Sequence, residues 1–384
     1  MAQVAYIDHS YHAKTLSTLF LVEILRKHGH SVDFFWDETW RGGDGISFDS
    51  ILDYDVIIMF QACCKPDNQY YRLKHDNVIA IPMLDSFHIH QGPTRNSLHT
   101  WERFHGCKVI SFSSALHGMA TSLGISSLHV RYFPQPALIS GGAQGLQGFC
   151  WLRHEEQVSW PLLRKLIGKT KFDSFHLHIS PDPNTPALVL PTQEELIEYN
   201  IQTSSWFENK EDFFQVLEKA NVLFAPRSVE GIGQSFLEAM ARGQCVVAQD
   251  NGTMNEYILH GLNGLLYDKD SPQPLDFSRV PELGANARKT IKYGHSYWQA
   301  QEKKLMQYIL SPAKEVYGVN TYKHVRMSQK FDNNSYDGQT NESDLPIPSL
   351  YHQLREYLLQ KKLIKKTRFL WYIPFRLLKK FVVK

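Results

Sequence analysis

Two glutamates, Glu230 and Glu238, flank a short glycine loop in the stretch VEGIGQSFLEAMAR. A carboxylate accepts hydrogen bonds from hydroxyl groups but repels phosphate. The glycines between them, Gly231 and Gly233, allow the backbone to approach a ligand closely. This combination predicts a site for a ligand that carries both an anionic group and the hydroxyl groups of a sugar.

The elements around the loop would place an anion at the start of a helix. The apolar run at residues 222–225 predicts a buried strand that ends at Pro226. Ser235 is expected to be the N-cap of a helix that runs to Arg242, and Gly243 is expected to end it. The first backbone N–H groups of a helix have no partner within the helix, so they suit a phosphate group.

The spacing of Glu230 and Glu238 resembles the E-x7-E donor signature of retaining glycosyltransferases of family 4, which have the GT-B fold. The resemblance implies an α/β protein with two Rossmann-like domains that face each other across a cleft. It implies that Glu230 is a catalytic residue that holds the transferred sugar and that Glu238 holds a ribose. The diphosphate of a UDP- or GDP-linked sugar would then bind the backbone N–H groups of the loop and helix start, at Ile232, Gly233, Gln234 and Ser235, beside Gly231.

Two arginines could add positive charge at the diphosphate. The family commonly has an arginine at the end of the first strand of the second domain, which Arg153 matches, and a lysine about five residues later. Residues 154–158 contain no lysine, so the chain departs from the family pattern there. Arg227, three residues before Glu230, could replace that lysine.

Asp85 and His88 are the candidate catalytic residues on the opposite domain. They follow the apolar run at residues 78–82, near the point where the family often has a histidine beside the reacting sugar carbon. Either side chain could orient the acceptor hydroxyl or act as a base. We rank both above His90.

The first loop of the chain is a second departure from the family. Many relatives have glycines there, whereas this chain has the sequence HSYHAK, in which Lys14 could reach an anion. Two D-x-D triplets, at residues 53–55 and 268–270, are interpreted as chance. The sequence therefore predicts no metal ion and no cofactor apart from the nucleotide-sugar substrate.

Strand and helix patterns alternate along most of the 384 residues, which favours two α/β domains. Five cysteines without metal spacing, and no apolar run of 18 residues, favour a protein of a reducing compartment without a spanning helix. The predicted organisation comprises a first, acceptor-binding domain (1–138), a linker (139–148), a nucleotide-sugar domain (149–295), a helix crossing back to the first domain (296–310), a polar tether (311–345) and a basic amphipathic segment (346–384).

The basic segment has a charge unlike that of the rest of the chain. Residues 351–384 contain ten Lys or Arg and one acidic residue, Glu356, although the whole chain has a net charge of only +2. Lysines mixed with Trp371, Tyr372 and leucines are typical of a segment that lies in a membrane interface. We expect residues 361–384 to bind an anionic membrane surface. A nucleic-acid patch or a helix docked on the core are alternatives, and the absence of a base-reading motif disfavours nucleic acid.

The sequence thus predicts a cytoplasmic glycosyltransferase, peripheral to the inner face of the membrane, that moves a hexose-type sugar to a hydroxyl of a lipid-linked glycan. Bacterial surface glycans such as lipopolysaccharide would be the products. A non-catalytic relative that binds glycan or nucleotide is one alternative. An inverting enzyme with Asp85 as base is another.

Overall fold

The computed structural model describes residues 1–61, 75–88, 101, 104–137, 145–182, 185–207 and 210–317. The predicted basic segment and most of the predicted tether lie outside these residues. Within them, no helix is both long and apolar enough to cross a membrane.

The first sheet has six parallel strands whose apolar residues are covered on both faces. Its strands are β1 (Gln3–Asp8), β2 (Ser31–Trp36), β3 (Val56–Phe60), β4 (Val78–Ile81), β5 (Lys108–Ser111) and β6 (Ser127–His129), in the order β2-β1-β3-β4-β5-β6. The helices described in this part are α1 (Tyr11–Thr15), α2 (Leu19–Lys27), α3 (Leu84–His88) and α4 (Ser114–Ser122).

The second sheet also has six parallel strands. They are β7 (Gln147–Leu152), β8 (Ser174–Ile179), β9 (Ile201–Ser204), β10 (Val222–Phe224), β11 (Cys245–Gln249) and β12 (Leu265–Tyr267), in the order β12-β11-β10-β7-β8-β9. The associated helices are α5 (Trp160–Ile167), α6 (Gln193–Glu198), α7 (Lys210–Lys219) and α8 (Gln234–Arg242). Two Rossmann-like α/β domains are therefore present, as the resemblance implies.

Some predicted elements differ from the observed ones. The apolar residues at 130–133 predict a strand, but this prediction is wrong, because the strand in that region is β6, which ends at His129. The apolar spacing of residues 16–28 predicts a helix from Leu16, whereas α2 begins at Leu19. Leu16 has a left-handed backbone (φ 60°) that ends α1, so it cannot be part of a continuous helix.

One long helix, α9 (Val280–Leu310), packs against both sheets and is followed by α10 (Ala313–Tyr317). The absence of a side chain at Gly294 allows α9 to lie against Phe133, because a Cβ at position 294 would be 2.1 Å from the Phe133 ring. Near the end of α9, the buried Lys108 of β5 donates hydrogen bonds to the carbonyl oxygens of Tyr308, of Ile309 (3.0 Å) and of Ser311 (2.5 Å). Lys108 therefore binds carbonyls at the end of α9 and just beyond it, and the carbonyl of Ile309 also accepts from Nδ2 of Asn77.

Replacing Lys108 with Met should destabilise the protein by about 3 kcal/mol. Methionine fills a similar volume but donates no hydrogen bond, and each buried carbonyl left without a donor costs about 1–3 kcal/mol. Urea unfolding followed by circular dichroism measures the change. The exposed Lys165→Met is the control and should stay within about 0.5 kcal/mol of the wild type. An unchanged urea midpoint for Lys108→Met would show that the ammonium group does not hold the end of α9.

Candidate functional site

The strand order of the second sheet creates a crevice at its carboxyl edge. The strand that follows β7 in sequence, β8, lies on one side of β7, and β10 lies on its other side. The chain therefore runs in opposite directions across the sheet from β7 and from β10, which opens a crevice between these two strands. Ligands of open parallel sheets bind at such a switch point. The residues that follow these two strands, Arg153 after β7 and Arg227 after β10, therefore lie at the edge where a ligand is expected.

Both arginines are held by carboxylates. Arg153 donates from Nε (3.0 Å) and Nη2 (2.7 Å) to one oxygen of Asp182, and its guanidinium lies over the ring of Trp151. Arg227 lies between Asp182 (3.7 Å) and Asp85 of the first domain (3.3 Å). The ion pairs thus form a chain from Arg153 through Asp182 and Arg227 to Asp85, which joins the two domains at the crevice.

Glu230 is a half-buried carboxylate in this charged group. Burial raises its pKa to about 7, and the negative charge of Asp85 acts in the same direction. Arg227 and Arg153 oppose this rise. Glu230 can therefore change its protonation near neutral pH, and in its ionised form it can accept hydrogen bonds from two hydroxyl groups.

The glycine loop requires glycine at Gly233 for two reasons. Its φ of +79° is left-handed, and a Cβ there would lie 1.9 Å from the ring of Phe236. Gly233 is the N-cap of α8, so the expectation that Ser235 is the N-cap is wrong. Gln234 and Ser235 are the first two residues of the helix, and their backbone N–H groups belong to the turn that has no intrahelical acceptor.

Gly231 brings the loop against the first domain. A Cβ at Gly231 would lie 2.8 Å from Sδ and 2.9 Å from Cβ of Met83, and 3.1 Å from Oδ1 of Asp85. The neighbouring Ile232 is buried. The loop therefore fits against the residues just before and at the start of α3 only when position 231 has no side chain.

Changing Gly231 to Ala should destabilise the protein by about 1–3 kcal/mol, because the added methyl group collides with the Cβ of Met83 as well as its flexible end. Thermal unfolding measures the change. Gly118→Ala is the matched control, since a Cβ there meets nothing within 4 Å and alanine favours the helix α4. If both variants melt at the wild-type temperature, the loop does not pack on the first domain as described.

Glu238 lies on the exposed side of α8, one turn after the loop. The buried face of the same helix carries Phe236, Leu237 and Met240. Its carboxylate is thus free to meet a ligand that lies over the helix start, although it is not part of the chain of ion pairs.

Asp85 is the predicted catalytic residue that the structure brings to the site. It lies at the start of α3, it is buried, and one of its oxygens accepts a hydrogen bond from the backbone N–H of Ser86. Burial raises its pKa, and Arg227 acts in the opposite direction. His88 is the last residue of α3, but its side chain is outside the described residues, as is His90.

Asp182 was not identified from the sequence. It follows β8, the strand next to β7, so its position at the shared carboxyl edge was the available signal. Asp8 was also not singled out, although His9 and His12 belong to the HSYHAK segment noted above, in which the structure has the short helix α1 rather than only a loop. The carboxylate of Asp8 is fully buried and accepts a hydrogen bond from Nδ1 of His12 (2.8 Å).

Residues 169–276 match the protein family described as Glycosyl transferases group 1. The matched range includes Asp182, Arg227, the glycine loop and both glutamates, so the crevice residues that follow β8 and β10 and begin α8 lie within it. The match supports a glycosyltransferase. No curated protein sequence is significantly similar to the chain.

Solved structures share the architecture at low sequence identity. A sucrose-phosphate synthase (tll1590) from Thermosynechococcus elongatus has a TM-score of 0.53 at 14% identity, with 87% of this chain and 100% of that chain covered. A glycosyltransferase from Rickettsia africae ESF-5 has a TM-score of 0.49 at 13% identity, with 83% and 99% covered. Anabaena Alr3699/HepE, in complex with UDP and glucose, has a TM-score of 0.45 at 13% identity, with 87% and 100% covered. The score above 0.5 supports the shared GT-B fold, and identities this low indicate the fold alone.

Proposed function

We propose that this protein is a retaining glycosyltransferase that moves a hexose-type sugar from a UDP- or GDP-linked donor to a hydroxyl of a glycan acceptor. One observation carries the proposal. At the switch point of the second sheet, of which residues 169–276 match the group 1 family, two arginines lie beside a glycine loop that begins a helix and carries a half-buried glutamate. A nucleotide diphosphate sugar offers the matching groups, an anionic diphosphate next to hydroxyls.

In this proposal the diphosphate lies over the start of α8. The backbone N–H groups of residues 232–235 and the positive end of the helix would bind it, with Arg153 and Arg227 on the other side. Both arginines would give up part of their contact with Asp182 and bind the donor diphosphate instead. The arginines and the helix would stabilise the charge on the departing diphosphate, so no metal ion is needed there.

The glutamates would bind the two ends of the donor. Glu238 would accept hydrogen bonds from the ribose, and Glu230 from the transferred sugar. The acceptor hydroxyl would enter from the side of Asp85 and His88. Retention of the anomeric configuration rests on the resemblance of the E-x7-E spacing, and NMR of the product anomer tests it. An inverted product would favour Asp85 as a base that takes the proton of the acceptor hydroxyl.

The rate should depend on pH through Glu230. Only the ionised carboxylate makes charge-assisted hydrogen bonds with hydroxyl groups, and burial raises its pKa to about 7. We expect kcat/KM for the donor to rise between pH 6 and pH 8 with a midpoint near 7, and Glu230→Gln should lose this rise. Initial rates in a constant-ionic-strength buffer series measure it. A flat wild-type profile over this range would contradict the role given to the carboxylate.

A non-catalytic protein that binds nucleotide or glycan is the second candidate. The observation in its favour is that Asp182 and Asp85 already occupy the two arginines. Calorimetric titration of UDP, GDP and their sugars separates the possibilities when combined with turnover. Binding without release of nucleoside diphosphate favours the second candidate. If neither binding nor turnover is detected, the nucleotide-sugar site is rejected. Arg153→Ala is the control that should not bind the nucleotides.

The acceptor and the location complete the proposal. We propose a lipid-linked glycan acceptor and a peripheral position at the inner face of the cytoplasmic membrane, with residues 361–384 on the anionic surface. The support is the composition of that segment, which lies outside the described residues. Sedimentation with anionic vesicles should recover the full chain but not a chain truncated after Leu345. Equal partitioning of both would reject the membrane segment.

A further inference from the structure

A second cluster of ligand-type side chains lies at the switch point of the first sheet. There the chain order diverges between β1 and β3, and β1 ends in Asp8. Asp8, His9 and His12 each offer one ligand atom, and these atoms all lie within 4.8 Å of one another. Two imidazoles and one carboxylate at this spacing form a common ligand set for divalent transition metals.

The three side chains approach closely. Nδ1 of His12 lies 2.8 Å and 3.0 Å from the two oxygens of Asp8, and the ring centroids of His9 and His12 are 3.8 Å apart. Three potential ligand atoms therefore lie within reach of one ion.

The cluster has unmet requirements that a cation would satisfy. Nδ1 of His9 is buried and has no hydrogen-bond partner among the described residues. The carboxylate of Asp8 is fully buried. Among the residues that the structure describes, His12 is the one basic side chain within 4.0 Å of it. A buried carboxylate without a permanent positive charge is costly, whereas a bound divalent ion would compensate it.

We propose that Asp8, His9 and His12 bind one divalent transition-metal ion of the Zn²⁺ class. Three protein ligands leave at least one coordination position open. Asp8 ends β1 and Asp85 follows β4, so both lie at the carboxyl edge of the first sheet, which is the edge proposed to receive the acceptor. If the proposed function holds, the open position would take a hydroxyl of the acceptor glycan. The ion would then lie apart from the donor diphosphate, where the arginines supply the charge.

Zn²⁺ binding to the chelator-treated full chain tests the proposal without any donor present. Competition with a chromogenic chelator should give one equivalent of Zn²⁺ with a dissociation constant below about 1 µM. Asp8→Asn, His9→Ala and His12→Ala should each weaken it at least 10-fold, whereas the control His28→Ala, outside the cluster, should not. Binding weaker than about 100 µM, or equal in all four variants, would overturn the proposal and leave a metal-free Asp8–His12 hydrogen bond.

A measurement on the wild type protects the test against variants that fail to fold. Co²⁺ added to the chelator-treated protein should give a visible spectrum of nitrogen and oxygen ligation that saturates at one equivalent and is displaced by Zn²⁺. A spectrum identical to that of Co²⁺ in buffer would overturn the proposal. Because neither readout involves a nucleotide sugar, failure of the metal site and failure of the proposed transfer reaction are distinguished.

Discussion

Glu230→Gln should lower kcat/KM for the nucleotide-sugar donor about 100-fold, and Glu230→Ala about 1000-fold. The carboxylate is expected to accept two hydroxyl hydrogen bonds, and bonds to a charged group each contribute about 1.5–3 kcal/mol. The amide of Gln keeps one acceptor oxygen but loses the charge. Release of nucleoside diphosphate, measured over a series of donor concentrations, gives the two ratios.

The stability of Glu230→Gln shows whether a loss of activity could come from unfolding. Burial holds the folded-state pKa of Glu230 near 7, above its ordinary value of 4.5. The stability that the group contributes is therefore present below pH 4.5 and is lost as pH rises through 7. At pH 8 Glu230→Gln should resist urea at least as well as the wild type. The exposed Glu282→Gln is the activity control and should retain wild-type kcat/KM. Equal activity of all variants would remove Glu230 from the site.

Arg227→Ala should weaken donor binding about 10- to 100-fold and move the pH midpoint of kcat/KM above 7. The guanidinium pairs with Asp85 and Asp182 and also lowers the pKa of Glu230. Its removal leaves three carboxylates near the donor and makes ionisation of Glu230 harder. Calorimetry with the nucleoside diphosphate gives the affinity, and a pH series of initial rates gives the midpoint.

Two substitutions separate the charge of Arg227 from its shape. Arg227→Lys keeps the positive charge but cannot reach both carboxylates with a planar fork, so it should restore the pH midpoint more fully than the affinity. Arg164→Ala removes an exposed arginine paired with Glu195 and should change neither quantity. A midpoint that stays at the wild-type value in Arg227→Ala would show that Arg227 and Glu230 do not interact.

The sequence was most informative where function depends on local spacing. Glu230 and Glu238 are eight positions apart on one loop and helix, so their relation could be predicted without the tertiary structure. The end of α8 at Gly243 was also predicted correctly, since a left-handed glycine is a local signal. The N-cap was not, because Ser235 has the residue type that usually caps a helix, whereas the left-handed Gly233 directly precedes Gln234, the first residue of the helix.

Contacts between distant elements could not be predicted. Asp182 meets Arg153 across 29 positions, and this depends on β8 lying next to β7. The sequence gives no direct signal for that strand order. The same applies to Lys108, which contacts carbonyls about 200 positions away at the end of α9. A buried lysine is unusual, and only the arrival of a helix end explains its presence in a strand.

The most direct test of the central claim is release of nucleoside diphosphate from a panel of UDP- and GDP-linked hexoses, with and without glycan acceptors. The wild type should turn over at least one donor, by transfer or by slow hydrolysis, and Glu230→Ala should reduce that rate about 1000-fold. If the folded wild-type protein releases no nucleoside diphosphate from any donor, or releases it as fast as Glu230→Ala does, the protein is not the glycosyltransferase proposed.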